Sequence, residues 1–437
     1  MILLRNFKNI FAISELRKKV FFTLGSLIIY RLGTYIPVIG VNVPMLGEHM
    51  KRATGVGGLL GYLDIFSGGA LSKSTLFALG IMPYITASIM MQILSMTLPS
   101  LEQLLKEGEY GKKIINQYTR YLALGLSVMY SYWYSVYIEN ANLALTPGWS
   151  FRFIFVLSMT VGCLLVMWLA DQISLFGVGN GSSMIIFAGI VSRIPGYIIQ
   201  TRELVQLGTL QLWQALFILF IFIIITGFIV FLEKGERKIP VQYARRVIGN
   251  RVYGGQSTYI PFKINTAGIM PVIFASQFLQ FPATISVLLS QRAEIFRWIS
   301  ELLKPTGLFF NCLEFGLIVF FSYFYTMLVF NPEELADNIK KSGGFIPGIR
   351  PGKKTAEFFY YILIRIGLVG AIYLAGLALM PNILYALFRM PPFIGGTSLL
   401  IVTGVALELS AQVESYLIEH RYEGFLTSGR MKGRIAR

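Results

Sequence analysis

Apolar runs long enough to cross a bilayer recur along this chain, with charged stretches between them. A hydrocarbon core takes roughly 20 apolar residues per helix. Ten windows meet that length, at about 20–39, 73–97, 114–138, 151–170, 181–200, 212–232, 267–289, 308–330, 357–380 and 394–418. Ten crossings return both termini to one side. The windows divide into five and five at the loop entering "QLWQALF" near Gln211. Five is odd, so the second half starts from the opposite face, and an inverted repeat follows. The pattern therefore predicts an all-α polytopic membrane protein with two five-helix halves, 20–205 and 206–420. A segment of residues 1–19 precedes them and a tail of residues 421–437 follows. The halves share hydropathy, not residues.

Two connections depart from this rhythm. The segments 232–265 and 331–357 are long and charged, and long loops are usually functional or disordered. The alternation in "RKIPVQYARRVIGNRVY" fits a hairpin standing off the membrane. Before the second window, "LDIFSGGALSKS" interrupts an apolar run too short to span. Gly68 and Gly69 free its backbone, and Ser67, Ser72 and Ser74 offer caps, so a spanning helix is expected to begin near Ser74. The stretch is either an external loop or a segment dipping into a cavity, since non-helical backbone at membrane depth needs protein or water around it.

Composition agrees with a membrane protein. Only 14% of the 437 residues are charged, and mean hydropathy is +0.63, against about 25% charged in soluble domains. The first residues carry basic groups on both sides of short apolar pieces and no small-residue cleavage site, so no cleavable signal peptide is expected. The net charge of +16 is unevenly placed, with 25 of the 38 Lys and Arg in the termini and alternate loops on one side. By the positive-inside rule that side, with both termini, is cytoplasmic.

Chemistry is sparse. His49 and His420 are the only histidines, and Cys163 and Cys312 lie far apart, so neither a metal cluster nor a disulfide framework is expected. "GIRPGKKT" ends like a phosphate-binding loop, but position 347 is Pro where Gly is required, and no preceding strand is visible. "GVGNGSS" at 177–183 follows a membrane window, not a strand. No enzyme and no cofactor is expected. Arg31, Glu314, Arg365 and Glu408 fall within windows but form no repeated acidic pair at matching depths, and snorkelling or interhelical pairing accounts for them. That weakens the alternative of a secondary transporter of a small solute.

Five long motifs then carry a resemblance. "FSGGALSKSTLFALGIMPYITASIMMQ" (66–92), "MWLADQISLFGVGNGSSMIIFAGIV" (167–191), "QSTYIPFKINTAGIMPVIFASQ" (256–277), "FNPEELADNIKKSGGFIPGIRPG" (330–352) and "GGTSLLIV" (395–402) resemble, in order, the signatures of the SecY family. These are the central channel subunits of the bacterial Sec protein translocase. The resemblance covers nearly the whole chain. It implies a protein-conducting channel in the bacterial inner membrane, with an hourglass pore between the halves and no bond chemistry.

Carried over motif by motif, the pore ring would be Ile81, Ile85, Ile186, Ile190, Ile273 and Ile401. Ile81/Ile85 and Ile186/Ile190 are each one helical turn apart, so each pair shares a face. β-Branched, apolar side chains suit a waist that dewets. A plug of about residues 57–72 would include Leu60, Tyr62, Leu63, Asp64, Ile65, Phe66, Ser67, Gly68 and Gly69; Asp64 and Tyr62 are less apolar than a plug would suggest. The family's sideways exit would place Thr86, Ser88, Gln92, Gln117 and Asn265 at a lateral gate, where modest polar bonds suit a seam that opens. Arg245, Arg246, Arg350, Lys353 and Lys354 would dock partners, with Pro347 and Pro351 stiffening the tip that presents Arg350. The implied partners are the small membrane subunits SecE and SecG, the motor ATPase SecA, the ribosome, signal peptides, nascent polypeptide, membrane lipid and a second SecYEG copy.

Overall fold

A computed structural model describes residues 13–53, 64, 67–208, 210–243, 246–248, 251–253, 257–289, 294–304, 307–388 and 395–428. The elements run α1 (Ser14–Gly33), α2 (Val43–Ala53), α3 (Met82–Thr97), α4 (Pro99–Lys106), α5 (Glu109–Asn140), α6 (Trp149–Phe176), α7 (Gly181–Val191), α8 (Ile194–Gln206) and α9 (Leu212–Lys234). Strands β1 (Glu236–Tyr243), β2 (Arg246–Ile248), β3 (Arg251–Tyr253) and β4 (Ser257–Lys263) follow. Then come α10 (Met270–Leu289), α11 (Glu294–Leu302), α12 (Leu308–Val329), α13 (Pro332–Lys341), β5 (Gly344–Phe345), α14 (Lys353–Phe388) and α15 (Gly396–Ser428). A helix occupies part of every window the hydropathy marked. Among the described residues, six helical stretches are long and apolar enough to cross a membrane unaided, or seven if the pair α3 and α4, bent by 97°, counts as one.

The chain divides into two compact units. The first comprises residues 1–48, 64–192 and 405–437, and the second residues 49–63 and 193–404. In the first, α3 packs on α5, α5 on α6, and α6 on both α1 and α7. Close approach is set by small residues: the backbone of Leu76 lies directly against Gly162 of α6, and the Phe77 ring against Gly33 of α1. Tyr30 of α1 stacks on Phe77 with centroids 6.0 Å apart. Lys19, ahead of the first apolar window, donates to the Tyr416 hydroxyl at 3.1 Å and lies 4.3 Å over its ring. That hydroxyl, with help from Glu15, holds the ammonium above the usual lysine range.

One expectation is corrected here. The second window's helix begins at Met82, not near Ser74, and residues 67–81 are non-helical, mostly turns with a bridge from Thr75 to Pro37. Ser74 has φ +45° and Gly80 φ +54°, left-handed values that no right-handed helix passes through. Pro83 sits in the first turn of α3, where its fixed φ and missing N–H cost nothing.

In the second unit α10, α12 and α14 form the packed core, with α9 on α14 and α11 on α10. Phe274 meets Phe321 edge-on at 6.1 Å. The two long loops prove to be one structure. β1 pairs antiparallel with β4 from Glu236↔Lys263 to Gln242↔Ser257, and on its other edge with β5. Ile239, Val241 and Phe262 of this sheet are buried with Ala336 and Ile339 of α13, Ile346, and Phe359, Ile362 and Leu363 of α14. β2 and β3 form the anticipated hairpin within the first loop.

Candidate functional site

The stretch 67–81 is held by hydrogen bonds in place of helical ones, several of them to Asp64. Asp64, 2% exposed, accepts the Ser72 N–H at 2.9 Å and the Ser67 hydroxyl at 3.3 Å through Oδ1. Its carbonyl accepts the Gly69 N–H at 3.0 Å. Ser67 Oγ accepts the Leu71 N–H at 3.2 Å. A buried carboxylate ringed by donors satisfies backbone groups that the turns leave without helical partners. This explains the acidic residue that looked out of place in a plug: it organises the segment's end.

Neighbouring elements of the same unit grip the stretch. The Arg31 guanidinium of α1 donates to the Gly68 carbonyl at 3.4 Å, and the Tyr134 hydroxyl of α5 donates to the Leu71 carbonyl at 2.8 Å. The Val38 N–H donates to Ser74 at 2.9 Å, and the Leu76 N–H to Ile36 at 2.8 Å. Gly68, at φ +67°, stands against Gly189 of α7. The sequence marked Arg31 as an intramembrane charge but held no signal for its partner, and Tyr134 was missed because nothing local distinguishes a tyrosine with a distant carbonyl. Leu60, Tyr62, Leu63, Ile65 and Phe66 lie outside the described residues.

All six isoleucines assigned to the pore ring are buried. In the first unit, Ile81 caps α3 and receives the Ile85 N–H at 3.1 Å, while Ile186 and Ile190 lie on α7. In the second, Ile273 on α10 and Ile401 on α15 sit about one turn from the contact at which the Ile269 side chain closes on Gly404.

Of the residues assigned to the lateral gate, Thr86, Ser88, Gln92 and Asn265 bond within their own units. Thr86 donates to Met82 O at 3.1 Å and pairs with Tyr130 of α5. Gln92 donates to Ser88 one turn back at 3.5 Å. Gln117 is exposed on α5. Asn265 donates to Glu233 at 2.6 Å and to Gly268 O at 2.9 Å.

Of the docking cations, Arg350, Lys353 and Lys354 are exposed beside the three-stranded sheet. Lys354 pairs with Glu357 at 2.7 Å. The Arg350 carbonyl accepts the Thr355 hydroxyl at 3.0 Å, tying the tip to the first turn of α14. Arg246 lies in β2, and Arg245 is outside the described residues. A short strand, β5, does precede "GIRPGKKT", contrary to expectation, but Pro347 still stands where a phosphate-binding loop needs glycine. At 177–183, Asn180 caps α7 by accepting the Ser182 N–H at 3.1 Å, and Gly181 N–H bonds Ser174 Oγ at 2.9 Å, so this motif is a helix junction.

Largely helical, with several membrane-crossing stretches and non-helical backbone buried inside one unit, this is a polytopic α-helical membrane protein. Within that class the chain belongs to the SecY family, whose model matches residues 75–410. It is 40% identical over 436 residues to the protein translocase subunit SecY of Thermotoga maritima, covering 98% of this chain and 99% of that one. To the SecY subunit of Escherichia coli K12 it is 41% identical over 428 residues, 96% of each chain. The fold is that of a solved protein-conducting channel, with TM-score 0.66, 18% identity and coverage of 91% and 92%. It also matches a SecY structure described for a plug domain that stabilises the closed channel (TM-score 0.61, 18% identity, coverage 91% and 92%). A channel in a canine ribosome complex from the endoplasmic reticulum is a further neighbour (TM-score 0.62, 16% identity, coverage 91% and 92%).

Proposed function

We propose that this chain is the channel subunit of a bacterial inner-membrane translocase, with both termini cytoplasmic. It passes unfolded secretory polypeptides across the membrane and releases transmembrane segments sideways into lipid. The observation that carries this reading, beside family membership, is the largely buried, non-helical stretch 67–81. Such backbone is tolerated at membrane depth only within protein or beside a water-filled cavity, and a movable stopper needs such a setting. Residues 57–72 are the plug, and the six isoleucines form the gasket, yielding to a threading chain without hydrogen-bonding it. The lateral gate opens along Thr86, Ser88, Gln92, Gln117 and Asn265.

The relatives and neighbours support a partner-driven device. A ribosome-bound neighbour favours ribosome docking on the basic platform, and SecA would use the same exposed cations. SecE and SecG complete the complex, which can pair as a dimer. No bond chemistry belongs to this chain, so the driving energy comes from the docked partner. The test replaces Ile85 and Ile190 with Gly in the complete complex and records planar-bilayer conductance: a resting ion leak is expected, and an unchanged conductance refutes the gasket. A cysteine at position 85 should crosslink to a stalled translocating chain; absence of that product while the chain is engaged refutes the path.

A further inference from the structure

Residues 36–42, between α1 and α2, form a strap bonded on two sides. Pro37 bridges antiparallel to Thr75 of the turn stretch, flanked by the bonds from Val38 N–H to Ser74 O and from Leu76 N–H to Ile36 O. Four residues on, Val41 bridges in the same way to Ala144 in the α5–α6 loop. There the Asn42 N–H donates to Leu143 O and the Leu145 N–H to Gly40 O, each at 2.9 Å. Pro37 stands where the first bridge needs no N–H donor. Gly40, at φ +91°, turns the strap between its two bridges, and a methyl group there would stand 2.9 Å from the Phe151 ring.

The α5–α6 loop is itself clasped by one carboxylate. Glu139, in the last turn of α5, accepts the Gly148 N–H at 2.9 Å through Oε1. Its Oε2 accepts from Arg152, in the first turn of α6, at 2.6 Å from Nε and 2.5 Å from Nη2. The Glu139 side chain is 8% exposed and that of Arg152 28%, so the pair is mostly withdrawn from water, and such charge-assisted bonds are the strong ones. Arg152 follows Phe151, the ring beside Gly40. Clasp, loop, strap and turn stretch thus make one run of contacts inside the first unit. We propose that Glu139 and Arg152 are positioning residues for the stretch 67–81, holding it at rest through the strap. The consequence for the channel rests on the plug reading above: a loosened clasp lets the resting channel leak.

The test uses the complete complex with Thr75→Cys added to the native Cys163 and Cys312, and reads the labelling of each cysteine by a water-soluble maleimide. Position 75 is 1% exposed, and Cys163, at 3%, lies three turns of α6 beyond Arg152 and reports on the unit at large. Arg152→Gln should raise labelling at position 75 severalfold while Cys163 stays protected. Arg152→Lys, which keeps the cation, should return it close to the native rate. Gly40→Ala disturbs the strap with the clasp intact and should give a similar rise, to which Arg152→Gln adds little, since both act along one route. Unchanged labelling at position 75 in Arg152→Gln overturns the proposal. So does an equal rise at Cys163, which is general loosening, or full additivity of the two variants, which means separate routes. Should Arg152→Gln not assemble, Glu139→Gln removes the charge, keeps an acceptor for Gly148 and is read in the same way. Planar-bilayer conductance separates this inference from the plug reading: a freed position 75 in a channel that stays tight upholds the positioning role and refutes the plug.

Discussion

The backbone of Gly68 rests directly on that of Gly189. A methyl group added at Gly68 would stand 3.0 Å from both the Cα and the carbonyl oxygen of Gly189, and 2.9 Å from an Arg31 nitrogen. Gly68 also holds φ +67°, a conformation that costs other residues about 1–2 kcal/mol. Gly68→Ala should therefore loosen the stretch 67–81 by pressing on the Gly189 backbone and on the Arg31 guanidinium that donates to Gly68 O. Cysteine placed at Ser72 should then react faster with a water-soluble maleimide than in the otherwise native protein. Equal rates would show that the contact is dispensable.

Asp64 separates charge from hydrogen bonding. Asn keeps an Oδ1 to accept from Ser72 N–H and Ser67 Oγ, whereas Ala keeps neither bond. Removing the acceptor leaves the half-buried Ser72 N–H without this partner, at up to about 1–3 kcal/mol. D64A is expected to raise maleimide reactivity at residue 72 well above D64N. Indistinguishable reactivities would deny the carboxylate its structural role.

Phe262 joins the two polar loops, since its ring packs 5.4 Å from Phe359 and 5.6 Å from Phe330. Truncating such a fully buried ring costs about 3–5 kcal/mol. F262A should make both 236–263 and 331–352 sensitive to protease added on the face that carries these loops. Cleavage confined to one loop would contradict a shared core.

Arg350 is displayed by a tip that two prolines and the Thr355 hydroxyl restrain. Charge reversal by Arg350→Glu should abolish SecA-driven export in vesicles while leaving assembly with the small subunits intact. Thr355→Val should lower export severalfold, since the cation survives but its mounting loosens. Native export rates with Arg350→Glu would remove this residue from the docking surface.

The helices themselves were legible in order and approximate position because a bilayer reads local apolarity: twenty greasy residues announce themselves without help from distant parts of the chain. The same holds for the SecY-type motifs, including "GIMPYITAS" and "IPGIRPG". Hydropathy failed at Ser74, since the apolar residues 75–81 satisfy a spanning window equally well as helix or as buried turns. Two left-handed φ values, stabilised by Ile36, Val38 and Tyr134 from elsewhere in the unit, decide between them. Nor could charge patterning reveal that the two basic loops share a core, because Val241 and Phe359 meet only after the chain has folded.

The amino-acid sequence by itself determined the membrane class, the serial arrangement of crossings and the kinship. Each of these depends on composition within a short window. The tertiary structure alone decided where the second crossing becomes helical, why an aspartate is tolerated at position 64, and which cations stand over which ring. Those are set by contacts between residues tens to hundreds of positions apart, such as Arg31 with Gly68 and Lys19 with Tyr416. No periodicity along the chain encodes such pairs.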